Sequence, residues 1–463
     1  MLRYLLFLFS PLVVVAQPDS VESFLKRNME SLKIPGLSFA VIKNDRVLKT
    51  GALGSINLEL NVPATTASVY EIGSLTKQFT SMAIMLLAEE GKLTIEDKIS
   101  SYFAGSPSAW NNITIRHLLN HTSGIQNHVA LPGYLGRFKS NMFGEPQASQ
   151  KEIAEWFFQL PQEFTPGETW SYDNTGYYLL GLIVEKAAQQ NYWDFLEERI
   201  FIPLGMRSTR NTDTKDLVAN RASGYLWNGS AYQNQPVLWS FVGFSAGSLM
   251  STVEDLAKWD AALYTDKLVK KSTLDQMWQP ARGPRGELLP FNCGFGWFVD
   301  HFNGHRILQH SGGTPGFSSV MYRFPDDSLT VVLLTNHADR MLDQLALEIA
   351  GMYVSSLIRP LAKANNKINV TTRHKSIFSE LLTGRYDIKN FTTPMMRYLG
   401  TSTSKSLFEW YSSFGELKEF NLSHHEKQGG RDVYRYRVRL GDNEYFFTIT
   451  VEKDGKIAQL YFS

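Results

Sequence analysis

The chain has 463 residues, of which 43% are hydrophobic and 20% are charged, and its formal net charge is +1. This composition excludes a largely disordered chain and provides no general electrostatic attraction to nucleic acids or anionic membranes. The length exceeds that of an average domain, so we expect two domains, or one large and one small.

The N-terminal residues predict a secretory signal peptide. Arg3 is followed by an apolar run that is too short to span a bilayer, and Val14-Val15-Ala16 precedes a predicted cut after Ala16. We therefore expect residues 1–16 to be removed and the mature protein to be secreted or periplasmic, without stable membrane insertion. A buried N-terminal strand is the alternative interpretation.

The next 340 or so residues predict strands, then helices, then strands. Residues 37–58 read as a β-hairpin with its turn at Asn44-Asp45, and residues 74–260 are mostly helical, with a capping box expected at 251–254. Strands return after Gly294. We expect both strand groups to join one sheet flanked by the first and last helices, with the helical middle as a second lobe. The individual helices are expected at 114–119, 151–159, 174–189 and 341–357.

A different pattern begins near residue 359. Residues 359–374 predict a linker, and residues 375–463 predict a small β-rich α+β domain with a three-stranded meander from 433 to the end. Arg435, Arg437 and Arg439 alternate along one strand. Binding of an acidic polymer is one interpretation, but the solvated face of a half-buried sheet is the favoured one. The single cysteine, Cys293, excludes an intrachain disulfide and is interpreted as a packed residue.

Ser74 and Lys77 stand at the start of an apolar helix that Gly91 closes. Side chains three residues apart are neighbours on a helix, and the first turn offers unpaired N–H groups that favour negative charge. Burial lowers the pKa of a lysine, which allows it to take a proton from serine. The same spacing recurs at 23–26, on an amphipathic helix, and at 402–405, in a predicted polar loop, and neither precedes a buried helix.

This segment resembles the nucleophile motif of the serine β-lactamase and penicillin-binding protein superfamily. Tyr172-Asp173-Asn174 resembles the second motif as it occurs in class C β-lactamases and their esterase and peptidase relatives. The third motif, Lys-Thr-Gly on a late strand, is replaced by His310-Ser311-Gly312. A literal Lys49-Thr50-Gly51 precedes Ser74 and is interpreted as a coincidence. The resemblance implies a β-lactamase-like serine hydrolase domain over residues 17–358, with an antiparallel sheet, flanking helices and a helical lobe.

The resemblance also implies roles for individual residues. Ser74 would be the nucleophile, and Lys77 and Tyr172 would share its proton, with the pKa of Tyr172 lowered; which of the two acts first stays open. Asn174 would hydrogen-bond Lys77 and the substrate amide. The N–H groups of Ser74 and Gly313 would form the oxyanion hole, beside His310, Ser311 and Gly312. No metal or other cofactor is expected, and a base role for His121 is disfavoured.

His310 departs from the lysine of β-lactamases and D-alanyl carboxypeptidases. A neutral imidazole is a poor anchor for a substrate carboxylate, and we expect a limb in the pH profile near its ordinary pKa of about 6.5. The predicted activity is hydrolysis of a small ester or amide through a Ser74 acyl-enzyme, as in esterases or D-amino-acid peptidases. The alternatives are a carboxypeptidase or β-lactamase acting on peptidoglycan peptides or β-lactams, and an inactive binding protein.

Overall fold

The computed structural model describes residues 20–138, 148–213, 215–236, 240–338, 342–358, 368–441 and 443–462. The predicted signal peptide, and residues 359–367 of the predicted linker, lie outside these ranges. No helix within them is both long enough and apolar enough to cross a bilayer.

The strands in these ranges belong to four sheets, of seven, four, three and two strands. In chain order they are β1 Gly36–Lys43, β2 Arg46–Asn57, β3 Val62–Pro63, β4 Tyr70–Glu71, β5 Arg210–Asn211, β6 Tyr225–Trp227, β7 Tyr232–Asn234, β8 Leu249–Ser251, β9 Phe298–Phe302, β10 His305–Thr314, β11 Phe317–Phe324, β12 Leu329–Thr335, β13 Leu417–Gln428, β14 Arg431–Leu440, β15 Asn443–Val451 and β16 Ile457–Phe462.

The α-helices lie mostly between β4 and β9 and around the C-terminal sheet. They are α1 Ser20–Leu32, α2 Thr76–Glu89, α3 Ile115–Leu119, α4 Gln150–Phe157, α5 Asn174–Ala188, α6 Tyr192–Leu196, α7 Ile202–Leu204, α8 Ser240–Gly247, α9 Val253–Ala262, α10 Lys271–Met277, α11 Leu342–Tyr353, α12 Ile368–Leu382, α13 Thr393–Leu399 and α14 Ser402–Ser412.

The large sheet confirms that the two predicted strand groups join. Its strand order is β3-β2-β1-β12-β11-β10-β9, and β1 pairs antiparallel with β12, with Leu37 opposite Thr335. Asn44 and Asp45 both have positive φ, as a tight hairpin turn between β1 and β2 requires. The long helical segment is thus inserted between two halves of one sheet.

Alternating side chains of the sheet serve two different cores. Val331 and Leu333 of β12 pack with residues of α1 and α11, while Val332 and Leu334 pack with α2 and the rest of the helical lobe. Because neighbouring residues of a strand point to opposite faces, a nearly continuous apolar run predicts a sheet covered on both sides. The site lies on the face that carries α2.

The cap of α9 differs from its prediction by one residue. Thr252, not Ser251, is the N-cap, and its side chain accepts a hydrogen bond from the N–H of Asp255 at 3.1 Å. The Ser251 hydroxyl instead pairs with that of Thr209 at 2.8 Å. Ser251 and Thr252 are both residue types that commonly cap helices, so the local sequence does not distinguish them. The contact of Ser251 with Thr209, which is distant in sequence, leaves Thr252 as the cap.

The C-terminal domain has one more strand than the predicted meander. Strands β13 to β16 form an antiparallel sheet in sequence order. The sequence of β13 is strongly charged and its pairing shifts register twice, so it lacks the alternation of its neighbours. Helix α12 begins at Ile368, within the predicted linker, and Ser402 begins α14 in place of the predicted loop.

The arginine row of β14 is neutralised by neighbouring strands. Arg437 pairs with Glu444 at 2.6 Å and Arg439 with Glu419 at 3.1 Å. Arg435 is buried and donates to the carbonyl oxygen of His301, in the hydrolase domain, at 2.7 Å. The partly exposed Arg437 and Arg439 agree with the favoured interpretation over binding of an acidic polymer. That interpretation is wrong for Arg435, which is buried and connects the two domains.

A third hydrophobic cluster contains side chains from both domains. Trp170, Leu289 and Cys293 of the first domain pack within the same cluster as the aromatic core of the second. The ring centroids of Trp170 and Tyr398 are 6.0 Å apart, and the hydroxyl of Thr169 donates to the carbonyl of Pro394 at 2.6 Å. The C-terminal domain is therefore packed against the hydrolase domain close to the site.

Candidate active site

Ser74 lies in a single 3₁₀ turn, Gly73–Leu75, directly before α2. Gly73 has φ +50°, and a Cβ added there would lie 2.6 Å from the backbone nitrogen of Gly313. The turn therefore packs directly against β10, with the backbone of Gly73, the residue before Ser74, beside that of Gly313. Two adjacent backbone donors are what an oxyanion site requires.

Lys77 is fully buried, and its Nζ donates three hydrogen bonds. The acceptors are Ser74 Oγ at 3.2 Å, Asn174 Oδ1 at 2.8 Å and the carbonyl oxygen of Ala246 at 2.7 Å. The amine is thus held one turn behind the serine by groups from α5 and α8. Its orientation toward Ser74 is specified by the protein and not by solvent.

Burial lowers the pKa of Lys77 to about 7, although Asp173 and Cys293 act in the opposite direction. A large fraction of this amine is therefore neutral near neutral pH. A neutral amine has the lone pair that is needed to accept a proton from Ser74. The predicted effect of the apolar helix on Lys77 is confirmed.

Tyr172 stands over Lys77, with Nζ 4.8 Å from the centre of the phenol ring, and its hydroxyl interacts with that of Ser74. Burial raises its pKa above the ordinary value, and the hydrogen bond to Ser74 offsets only part of this effect. The expected lowering of the Tyr172 pKa was wrong, because desolvation exceeds the lowering effect of the hydrogen bond to Ser74, and Cys293 and Asp173 raise the pKa further. A phenol that keeps its proton can donate a hydrogen bond.

Asn174 is oriented by a residue that the sequence analysis missed. Its N–H donates to Asn127 Oδ1 at 3.2 Å, and its side-chain amide donates to the same oxygen at 3.4 Å. This leaves Asn174 Oδ1 free to accept from Lys77. Asn127 precedes a short 3₁₀ turn as its N-cap, and such caps are too common to indicate a site.

The Ala246 carbonyl was also missed, because a main-chain acceptor leaves no side-chain signature. It follows a kink in α8 at Phe244, which has φ 40° and ψ −132°. A non-glycine residue in this region costs of order 1–3 kcal/mol and persists only where the surroundings impose it. The kink turns the carbonyl of Ala246 toward Lys77.

His310 is buried, and its Nδ1–H donates to the carbonyl of Ser311 at 2.6 Å. Burial, followed by the charge of Lys77, lowers the pKa of His310 to about 3. The imidazole is therefore neutral throughout the ordinary pH range, as expected. Because desolvation moves its titration far below neutrality, His310 provides no reason for an activity limb near its ordinary pKa.

Activity toward a neutral ester should rise with pH through one limb near pH 7. The active form needs neutral Lys77, so activity is low below its pKa and increases as the pH passes about 7. Burial also raises the pKa of the adjacent Asp173 to about 7. The limb therefore reports the coupled titration of Lys77 and Asp173. The kcat/KM of wild type and His310→Gln, measured from about pH 5 to about pH 9, should show the same limb. A limb displaced in the variant would contradict this assignment.

Other residues singled out from the sequence have structural roles. The ring of His121 packs 4.6 Å from that of Tyr172, and its Nδ1 accepts from the N–H of Asp173 at 3.1 Å. Burial holds the pKa of His121 well below its usual value, so it stays neutral. Cys293 is buried, and burial raises its pKa to about 12. Lys49, in β2, pairs with Glu22 at 3.7 Å.

The structure brings the predicted site residues together at one cavity of about 750 Å³. Lys77 and Asn174 lie directly behind Ser74, and the remaining residues line the cavity. Within the described ranges, no three histidine, cysteine or acidic side chains are placed to hold a metal ion. The predicted residues that line the cavity are Ser74, Tyr172, His310, Ser311, Gly312 and Gly313.

Solved structures share this architecture. The octameric penicillin-binding protein homologue from Pyrococcus abyssi matches 94% of this chain and 96% of its own, with a TM-score of 0.64 and 22% identity. The D-amino acid amidase from Ochrobactrum anthropi SV3 matches 73% of this chain and 99% of its own, with a TM-score of 0.61 and 22% identity. At these identities the likeness establishes the fold.

Sequence comparison places the chain in a family. Penicillin-binding protein 4* of Bacillus subtilis is 34% identical over 341 residues, which are 69% of this chain and 73% of that protein. Protein flp of Staphylococcus aureus is 25% identical over 363 residues, which are 76% of this chain and 71% of that protein. Residues 21–350 match the family model described as Beta-lactamase. The chain therefore belongs to the beta-lactamase family, as a serine hydrolase of the fold that penicillin-binding proteins share.

Proposed function

We propose that this protein is a secreted hydrolase of the class C-like branch that cleaves esters or D-amino-acid amides through an acyl-enzyme on Ser74. The observation that carries the proposal is the 3.2 Å contact between Ser74 Oγ and a fully buried Lys77 with a pKa of about 7. A serine that only capped a helix, beside a lysine in solvent, would have no neutral amine next to it to accept its proton. Export rests on the predicted signal peptide, residues 1–16.

The geometry supports a two-step mechanism. Neutral Lys77 takes the proton of Ser74 Oγ as the oxygen bonds to the substrate carbonyl carbon, and the N–H groups of Ser74 and Gly313 stabilise the resulting oxyanion. Tyr172 donates its proton to the leaving oxygen or nitrogen as that bond breaks, and Lys77 returns a proton to Tyr172. In the second step the same groups take a proton from a water molecule as its oxygen bonds to the acyl carbon, and that proton passes to Ser74 Oγ as the acyl–oxygen bond breaks.

The choice of substrate class rests on charge. His310 is neutral, and none of the described residues that line the cavity is lysine or arginine. Substrates without an essential carboxylate are therefore favoured, such as esters and amino-acid amides. Neighbours named as D-amino acid amidases agree with this range, whereas a relative named as a penicillin-binding protein supports the second candidate below. Peptidoglycan carboxypeptidase or β-lactamase activity is the second candidate.

Labelling with a fluorophosphonate probe tests the acyl-enzyme. The wild type should be labelled at Ser74, and Ser74→Ala should not react. The matched control is Ser23→Ala, which removes the serine of another Ser-x-x-Lys pair, on α1. Its labelling should equal that of wild type. Failure of the wild type to react, with the protein folded, would favour a binding protein that has lost turnover.

A panel of short-chain esters, D-amino-acid amides and a chromogenic cephalosporin then separates the substrate classes. Preferential cephalosporin hydrolysis would favour the second candidate.

A further inference from the structure

The C-terminal domain forms one wall of the cavity that contains Ser74. Leu407, Trp410 and Tyr411 of α14 and Phe462 of β16 line the same cavity as the predicted catalytic residues. Leu407 and Trp410 are only half-buried, so part of each side chain faces the cavity. This wall is apolar and largely aromatic.

The aromatic wall is held in place by its own packing. The rings of Tyr411 and Phe462 are stacked, with centroids 3.8 Å apart and an angle of 15° between their planes. Trp410 packs edge-on against Phe414, with centroids 4.3 Å apart. Rings fixed in this way lose little conformational freedom when a ligand binds.

The position of this wall relative to the nucleophile is also fixed. The hydroxyl of Thr403, in the first turn of α14, donates to the carbonyl oxygen of Tyr172 at 3.2 Å. Gln309, which precedes His310 on β10, donates to the Tyr461 hydroxyl at 3.0 Å. Both contacts join the C-terminal domain to residues beside the site.

The lining restricts the charge of a ligand. The described lining residues include one charged side chain, Asp343, which accepts a hydrogen bond from the Tyr322 hydroxyl at 3.0 Å. The described lining contains no lysine or arginine that could pair with a carboxylate on the substrate. The volume of about 750 Å³ is within the range of small-molecule sites, and it accommodates a group much larger than acetyl.

We propose that the C-terminal domain forms the subsite that selects an uncharged aromatic acyl group for transfer to Ser74. The proposal rests on the proposed hydrolase function and specifies its substrate class. Stacking on Trp410 and contact with Leu407 favour a flat apolar ring, which both side chains shield from water. The hydrolase domain supplies the reacting groups, and the C-terminal domain supplies selectivity.

Two S-ethyl thioesters test this assignment, one of phenylacetic acid and one of acetic acid, because their small leaving group cannot fill the subsite. The wild type should prefer the phenylacetyl ester. Trp410→Ala should lower kcat/KM for that ester by about tenfold or more and change the acetyl ester by less than about threefold. Leu407→Trp should block the subsite and produce the same selective loss.

Phe420→Ala is the matched control, because Phe420 is buried in the core of the C-terminal domain, where it stacks on Tyr436, and does not line the cavity. It should keep the wild-type ratio of the two rates, even if its melting temperature falls as much as that of Trp410→Ala. Equal losses for both esters in Trp410→Ala and Leu407→Trp, or no loss in either variant, would overturn the subsite. Loss of all hydrolysis in wild type would instead overturn the proposed hydrolase.

Discussion

Replacement of Lys77 by methionine should lower the rate of Ser74 acylation by about 10²- to 10⁴-fold, the usual contribution of a positioned general base. Methionine has a similar length and flexibility but cannot accept a proton. The protein should stay folded, because the change removes an amine from a fully buried position. The second-order rate constant for labelling by a fluorophosphonate measures the loss directly.

The sequence offers a matched control for this variant. Lys26 stands three residues after Ser23, as Lys77 does after Ser74, but it is exposed on α1. Lys26→Met should therefore label at the wild-type rate. Labelling of Lys77→Met at the wild-type rate, with an unchanged melting temperature, would assign the base function to another group, such as Tyr172.

Gly312→Ala should destabilise the protein by about 1–3 kcal/mol, the usual cost of overpacking a buried site. A Cβ at this position would lie 2.0 Å from the carbonyl oxygen of Ile72 and 2.6 Å from Ser319 Oγ. Ser319 also donates to that carbonyl at 2.8 Å, so the segment before Ser74 is held from two sides. Relief of the clash must move the backbone that carries Ser74, and activity should fall as well.

Gly313→Ala is the control that shows whether any side chain added to β10 lowers stability, or only one that clashes with its neighbours. A Cβ there would have no neighbour within 4 Å. Gly313→Ala should therefore keep the wild-type melting temperature, whereas Gly312→Ala lowers it. Equal melting temperatures for the two variants would show that the turn at Ser74 tolerates displacement, which contradicts the tight packing of Ile72 and Gly73 against Gly312 and Gly313 of β10.

Much of the fold was predictable because its signals are local. The Asn44-Asp45 turn, the helix after Ser74 and the apolar strands β11 and β12 each follow from short patterns of residues. Strand β13 was missed because a charged strand that changes register lacks such a pattern. The linker and loop assignments around residues 368 and 402 failed for a similar reason, since polar helices depend on packing against the C-terminal sheet.

The order of chemical motifs along the chain predicted Ser74, Lys77, Tyr172 and Asn174 as site residues, and the structure brings these four side chains together. Their geometry and protonation depend on parts of the chain far from them in sequence. Asn127 and the Ala246 carbonyl orient the groups around Ser74, and neither has a distinctive sequence signal.

By itself, the sequence determined the family and the fold class, and it supplied the candidate reacting side chains, because these depend on residue types and short spacings. Only the tertiary structure decided that Tyr172 keeps its proton, that His310 stays neutral and that aromatic residues of α14 line the cavity. Desolvation depends on every atom that surrounds a group, and a shared cavity depends on how two domains pack. Neither quantity is encoded in any local stretch of the chain.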